Sequence, residues 1–442
     1  MMDSVAAALA RFWPQGWWKI VDYKIGIIPI PVFIVLVGIF AGLAAIGRVP
    51  SDIMVGITLL SLGGFTCAEI GNRIPVIRNI GAGAICATFI PSALAYYHLL
   101  PGSIIKAVTD WTKFSNFLYL FIATIIVGSI LGMDRKVLIA GFLKIFIPLG
   151  LGSIVAAIVG TLVGTILGIG AYRTFFFIVV PIMGGGVGEG AIPLSVGYST
   201  ILGQPQGSLF AQVLPMVMLG SLTAILLSGA LNYVGKKYPH LTGEGRLQPA
   251  EHGDVEHPDP EAVHRAPPDV KTVGGAAVMA VTLYLIGVLG QRLFDFPAPI
   301  TMLFIAVVMK LTQAASPDLE QGAYRVYGFF RICVTYPLLF AIGIALTPWN
   351  ELIAAFTIRN LITIIATVSS LMATGFLTAR FLKMYPIDTA IVNATHSGQG
   401  GTGDVAILTA ANRMELLPFA QIATRIGGAI TVTLALIAIG RF

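Results

Sequence analysis

Residues 185–192 read Gly-Gly-Val-Gly-Glu-Gly-Ala-Ile, and residues 400–407 read Gly-Gly-Thr-Gly-Asp-Val-Ala-Ile. Both follow one pattern, Gly-Gly-x-Gly-acid-x-Ala-Ile, and both lie deep in apolar sequence. Leu194-Ser195 closes the first copy and Leu408-Thr409 the second, with Pro193 as one extra residue in the first. Non-helical, glycine-rich backbone survives at membrane depth only where protein buries it or where it lines a watery cavity. Two such breaks, one in each half of a chain, point to the substrate site of a transporter built from repeats. Glycine spacing alone would mean only close helix crossings. The duplication, with an acid at the same offset, favours a site.

The rest of the chain decides its solvent. It is 56% hydrophobic and 11% charged over 442 residues, against about 25% charged in a soluble domain. A polytopic membrane protein is expected. The three cysteines, Cys67, Cys86 and Cys333, are scattered through apolar runs and form no disulfide framework. No Cys/His cluster has metal-ligand spacing, so no cofactor is expected beyond a coupling cation. Residues 1–24 carry Arg11, Lys19, Asp22, Lys24, Trp13, Trp17 and Trp18. They read as a cytoplasmic or interfacial segment rather than a cleaved signal.

A span needs about 20 apolar helical residues. Spans are expected at 25–46, 52–69, 79–99, 115–132 and 137–169, then a broken segment at 173–201 and a span at 206–233. A proline-rich, charged stretch at 235–271 reads as a linker. Spans resume at 272–290, 297–313, 328–347 and 351–383, followed by a second broken segment at 386–412 and a last span at 416–440. The stretches 137–169 and 351–383 exceed one membrane thickness and should tilt, kink or lie partly at the interface, with Pro148 a kink in the first. Arg73 and Arg78, Arg135 and Lys136, and Lys236 and Lys237 place the N-terminus and the linker in the cytoplasm by the positive-inside rule. The C-terminus is then external. The fold expected is all-α: one extra N-terminal helix (25–46), a first repeat (52–234) and a second, inverted repeat (272–442). Each repeat has five transmembrane helices and one re-entrant hairpin, at 173–201 and 386–412.

Clustered glycines let backbone N–H groups converge on an anion beside the positive ends of half-helices. Carbonyls freed at the same breaks suit a small cation. The candidate substrate contacts are Gly185, Gly186, Val187 and Gly188 in the first loop, and Gln399, Gly400, Gly401, Thr402 and Gly403 in the second. Arg425, well inside the last span, is costly in lipid and should face a cavity or a partner; its fork suits a carboxylate. The alternative is a structural pair with Asp404 or Glu415. Asp404 and Thr424 are candidate cation ligands. Glu189 reads as a helix cap, Arg413 as snorkelling or paired, and His396 as a packing or hydrogen-bonding residue.

The phrases Met183-Gly-Gly-Gly-Val-Gly-Glu-Gly-Ala-Ile-Pro-Leu-Ser195, Gly400-Gly-Thr-Gly-Asp404, Asn412-Arg-Met414, Ala423-Thr-Arg-Ile-Gly-Gly428 and Leu241-Thr-Gly-Glu-Gly245 resemble the bacterial 2-hydroxycarboxylate transporter family along nearly the whole chain. The resemblance implies a homodimeric secondary carrier of the cytoplasmic (inner) membrane, with a central dimerisation domain and mobile transport domains. It also implies uptake of citrate, malate or related hydroxy acids with sodium or protons, and substrate contacts from both loops and Arg425. Sodium–citrate carriers of the family resemble Gly-Gly-Asn-Gly in the first loop and an Asn-Arg pair before the second; this chain has Val187 and Gly398-Gln399. With no second loop arginine, the expectation is symport of a 2-hydroxy dicarboxylate, malate, with sodium. A broader or proton-coupled citrate/malate carrier is the alternative, and an organic anion channel a more remote one. An enzyme is not expected, because only His396 and Ser397 lie near the loops and they lack a third partner.

Overall fold

The computed structural model describes residues 16–74, 82–132, 135–248, 268–294, 298–399 and 402–441. The N-terminal residues 1–15, most of the expected linker, and Gly400 and Gly401 lie outside the described residues. The chain is helical apart from one two-residue antiparallel ribbon, Lys24–Ile25 with Ile28–Pro29, in which Ile25 faces Ile28. Among the described residues, seven helices are long and apolar enough to cross a membrane, or eight if one bent pair counts as a span.

The first apolar helix starts at Ile30, not at residue 25, because the ribbon occupies 24–29 and Pro29 opens Ile30–Ala45. Ile53–Arg73 starts where Asp52 accepts a hydrogen bond from the Val55 amide at 2.9 Å, a side-chain cap for an orphan N–H. Ala82–Tyr96 follows. Gly102–Ser115 is a helix between two of the expected spans. It buries Ala107, Val108 and Trp111 on one face while Lys106, Asp110 and Lys113 fall elsewhere, a helical amphipathic period rather than a continuous apolar run. Asn116, at φ 47°, joins it to Phe117–Leu131 with a bend of 57°.

Arg135–Ile166 is one helix of 32 residues through Pro148, about 48 Å long at 1.5 Å per residue. The over-long stretch 351–383 divides instead into Trp349–Ala354 and Ile358–Ala379. Thr357 ends the break by capping the second helix, accepting from the Asn360 amide at 3.2 Å. The helix expected at 328–347 starts earlier, at Pro317. There Ser316 accepts from the Leu319 amide, and Asp318 and Glu320 sit in the first turn, where the helix dipole favours acids.

Around the first glycine phrase, Ala171–Ile182 and Val187–Leu202 form two arms. Around the second, the arms are Pro386–Thr395 and Thr402–Ala411. Gln206–Lys237 follows the first pair and Leu417–Ile439 the second. Packing sorts most helices into two groups. Ile53–Arg73, Ala82–Tyr96, Gly102–Leu131, Val270–Phe294, Ala298–Thr312 and Pro317–Ala345 pack among themselves. Arg135–Ile166, Gln206–Lys237, Ile358–Ala379 and both glycine-loop pairs with the last helix form the other group. Phe117–Leu131 touches both Val187–Ala191 and Ala423–Gly427, so the first glycine loop lies where the groups meet.

The stretch expected to be linker begins with packed structure. The helix runs on to Lys237, and Pro239–Leu241 makes a short 3-10 turn. Thr242 Oγ1 (2.9 Å), the Gly243 amide (2.7 Å) and the Gly245 amide (2.8 Å) all donate to the fully buried carboxylate of Asp388. Arg413 Nε lies 3.4 Å from the same carboxylate. Gly245 has φ 102°, a conformation that glycine adopts without steric cost. The Thr-Gly-Glu-Gly phrase is thus a backbone cradle around a buried acid.

Candidate substrate site

Between the arms of the first pair the backbone leaves helical geometry at Gly185 (φ 88°) and Gly186 (φ 106°). The chain then re-enters helix through a wide i→i+5 turn, Val187–Ala191, whose start is closed by the Gly190 and Ala191 amides donating to Gly186 O at 3.1 and 2.8 Å. Of the three other wide turns among the described residues, Phe175–Val179 lies in the first arm of this pair, and Phe330–Val334 and Ala423–Gly427 lie in the helices Pro317–Ala345 and Leu417–Ile439; the last two and Val187–Ala191 surround the loop. These three turns carry Glu189, Arg331 and Arg425. Such turns recur at functional sites because the inserted residue frees backbone groups and re-aims a side chain. One freed group is accounted for: His396 Nδ1 lies 2.9 Å from Ala423 O. A carbonyl only accepts, so Nδ1 carries the proton, and His396 is the buried hydrogen-bond donor expected of it.

The three charged residues converge on Tyr327. Its hydroxyl accepts from Arg425 Nη2 at 3.2 Å and donates to Glu189 Oε1 at 3.3 Å. Arg425 Cζ is 4.9 Å from the Tyr327 ring centroid and Arg331 Cζ 5.5 Å, both within the reach of a cation–π contact. Arg425 Nε stands 3.8 Å from Glu189 Oε1, an ion pair without a hydrogen bond. Arg425 Nε, Arg331 Nε and Glu189 Oε2 are buried with no hydrogen-bond partner among the described residues. Buried polar atoms are normally satisfied, so three orphans in one cluster mark it as built for something further.

A cavity of about 120 Å³ opens beside this cluster. The first loop lines it with Gly185, Val187 and Gly188, and Gln399 adds a side chain from the edge of the second. Glu189, Tyr327 and Arg331 complete its polar wall. Four of the residues expected at the site therefore meet in one place. Gly186 lies in the same loop but outside the lining. Gly403 is buried, with its amide bonded to Gln399 O at 2.7 Å. Thr402 is the first residue of its helix. Arg425 hydrogen-bonds Tyr327 and pairs most closely with Glu189, with Asp404 acting on it through space, and borders a neighbouring cleft with Ser129 and Thr433. Asp404 and Thr424 do meet: Thr424 Oγ1 donates to Asp404 Oδ2 at 2.8 Å, and both residues are fully buried.

Glu189, expected as a cap, belongs to this cluster, and Arg331 and Tyr327 join it from a helix outside the candidate residues. Arg331 carried a usable signal, a lone cation within the apolar run 328–347, which in a membrane is a functional candidate by default. The glycine at 398 has a steric account. A Cβ there would fall 2.6 Å from Asp404 Oδ1 and 2.8 Å from Thr395 O, so asparagine cannot enter without moving the acid. Gly428 of the last helix lies against the first loop: a Cβ would sit 2.8 Å from Gly184 O and from Gly185 N. Gly428→Ala should therefore push the loop aside, costing about 1–3 kcal/mol as overpacking does, with weaker substrate affinity. Gly229→Ala, inside Gln206–Lys237 and with the nearest atom 3.8 Å away, should leave affinity unchanged and the thermal midpoint no lower, since alanine favours helix over glycine. Equal behaviour of the two variants would remove the loop contact at Gly428 from the argument.

The model of the 2-hydroxycarboxylate transporter family matches residues 25–437. The chain belongs to that family. Among curated family members, it is 53% identical to the citrate/malate-proton symporter of Bacillus subtilis (strain 168), over 97% of this chain and 95% of that protein. It is 40% identical to the Na(+)-malate symporter of the same organism, over 94% and 93%. The citrate/sodium symporter of Salmonella dublin is 29% identical over 95% and 96%. Membership of this transporter family, together with the apolar helices, makes the chain a multi-pass membrane transport protein rather than an enzyme.

Proposed function

We propose that the chain is a cation-coupled symporter of 2-hydroxy dicarboxylates, with malate as substrate. The observation that carries this is the cavity formed by the first glycine loop and Gln399 beside two arginines and only one carboxylate. That excess positive charge beside the cavity favours an anion with more than one carboxylate. Gly185, Gly186, Val187, Gly188, Gln399, Gly400, Gly401, Thr402, Gly403 and Arg425 form the substrate site in this reading. Sodium coupling is supported by the buried Asp404–Thr424 pair beside the second loop, which offers oxygen ligands to a small cation. Proton coupling of a broader citrate/malate carrier has its own support in the 53% identity to a citrate/malate-proton symporter.

The remaining architecture follows the same reading. The two helix pairs are re-entrant hairpins of an inverted repeat, 52–234 and 272–442, joined by a cytoplasmic linker. The group holding both pairs moves against the other, which forms the centre of a homodimer in the bacterial inner membrane. The N-terminus is cytoplasmic and the C-terminus external. Support comes from the matched order in both halves: a broken or wide-turned helix (Gly102–Leu131, Pro317–Ala345), a long helix, a glycine-loop pair and a closing helix.

Uptake of labelled malate and citrate into proteoliposomes, with sodium and proton gradients imposed separately, is the test. Malate should accumulate against its gradient when sodium drives it. Accumulation driven by protons alone would replace sodium with the proton reading. Conductance without accumulation would make the protein a channel.

A further inference from the structure

We propose that Arg331 is the second carboxylate anchor of the site, contributed by the helix group opposite the glycine loops. The inference rests on the transport reading above and adds a residue that decides which anions fit. The sequence offers no arginine at position 399, where Gln399 donates to Met218 Sδ at 3.0 Å. A site with Arg425 alone would hold one carboxylate well and leave another without a cationic partner. Arg331 fills that role from across the gap. It lines the cavity together with Gly185, Val187 and Gly188, and its Nε is buried with no hydrogen-bond partner among the described residues. Its guanidinium is steadied by the Tyr327 ring, the ring that also positions Arg425.

The electrostatics favour the same assignment. Two guanidinium groups share Tyr327 with one carboxylate, Glu189. Glu189 stands close to Arg425, and no ion pair is formed by Arg331 among the described residues. Half-buried Arg331 shares Glu189 with Arg425, so one carboxylate faces two guanidinium groups until an anion enters. The wide turn Phe330–Val334 keeps Arg331 on the cavity side of its helix, next to Thr335 and Tyr336, which line it too. Because Arg331 belongs to the other helix group, which meets the first loop at this face, its contact with the substrate joins the two groups. An anion with two separated carboxylates is the ligand suited to use both Arg331 on the cavity wall and Arg425 behind Tyr327 and Glu189.

The test compares Arg331→Gln, Arg331→Lys and wild type in proteoliposomes loaded to equal protein content. Malate half-saturation should rise about tenfold or more in Arg331→Gln, the equivalent of about 1.4 kcal/mol. The concentration of a 2-hydroxy monocarboxylate such as lactate that half-inhibits the residual uptake should stay within about twofold of wild type. Arg331→Lys keeps the charge without the fork and should recover part of the malate loss. Unchanged malate half-saturation, an equal loss for malate and lactate, or a loss that lysine leaves untouched would each overturn the assignment. A wild-type protein that moves no malate counts against the transport reading instead, and wild-type inhibition by lactate as strong as by malate overturns the two-anchor site.

Discussion

Arg425→Lys should raise the malate half-saturation constant at least tenfold, while the protein still inserts and behaves as wild type in size-exclusion chromatography. Lysine keeps the positive charge but loses the planar fork that reaches Tyr327 and Glu189 together. The harder question is whether Arg425 binds substrate or merely neutralises Glu189. Arg425→Gln leaves Glu189 with the Tyr327 hydroxyl and the more distant Arg331, and stranding one partner of a buried pair costs about 3–5 kcal/mol. A drop in thermal midpoint is therefore expected from this variant on structural grounds. Adding Glu189→Gln removes the stranded carboxylate and should restore most of the midpoint. Uptake should stay lost in the double variant, because nothing else in the last helix offers a guanidinium at that place. If uptake returns together with stability, Arg425 serves Glu189 and not the substrate.

The parts of this site that were legible share one property: they announce themselves in one dimension. The paired glycine phrases repeat, and Arg425 and Asp404 are charges within apolar runs. The structure brings Asp404 to Thr424 and sets Arg425 beside a cleft. The partners of Arg425 were not legible in the same way. Glu189 lies next to a glycine break, where a carboxylate has an ordinary use as a cap, and only the fold brings Tyr327 within 3.3 Å of it. Arg331 could have been weighed as an intramembrane charge, but its destination depends on a wide turn that no hydropathy pattern encodes. The same limit applies to helices. Gly102–Ser115 alternates at the helical period and so never forms an apolar run, whereas Arg135–Ile166 continues through Pro148 because tertiary packing holds it. Asn393 Nδ2 donates to Pro148 O at 2.9 Å, and Ile358–Ala379 packs along its length.

Asp388→Ala should be the most damaging single substitution for stability away from the cavity, at about 3–5 kcal/mol, the loss typical of breaking a buried ion pair. The carboxylate is fully buried and accepts from Thr242 Oγ1 and from the Gly243 and Gly245 amides. Alanine leaves those donors without an acceptor and strands Arg413, itself 4% exposed. Arg413 would retain Thr242 Oγ1 at 3.1 Å and Asn412 O at 2.8 Å, which satisfy hydrogen bonds but supply no counter-charge. Asp388→Asn keeps one acceptor oxygen and should cost less. Hydrogen exchange gives the site-specific reading: amides in 242–247 should exchange faster in Asp388→Ala, beyond any general rise that follows lower stability. The cradle also fastens the chain that leaves Gln206–Lys237 to the start of Pro386–Thr395, where the Tyr385 amide donates to Leu247 O at 2.9 Å. If the group containing both glycine-loop pairs moves as a unit, this strap has to move with it. Malate uptake should then fall in Asp388→Ala even at temperatures where the variant remains folded. Unchanged exchange at 242–247 would mean that the loop is held by something other than this acid. Normal uptake beside fast exchange would detach the strap from the transport cycle.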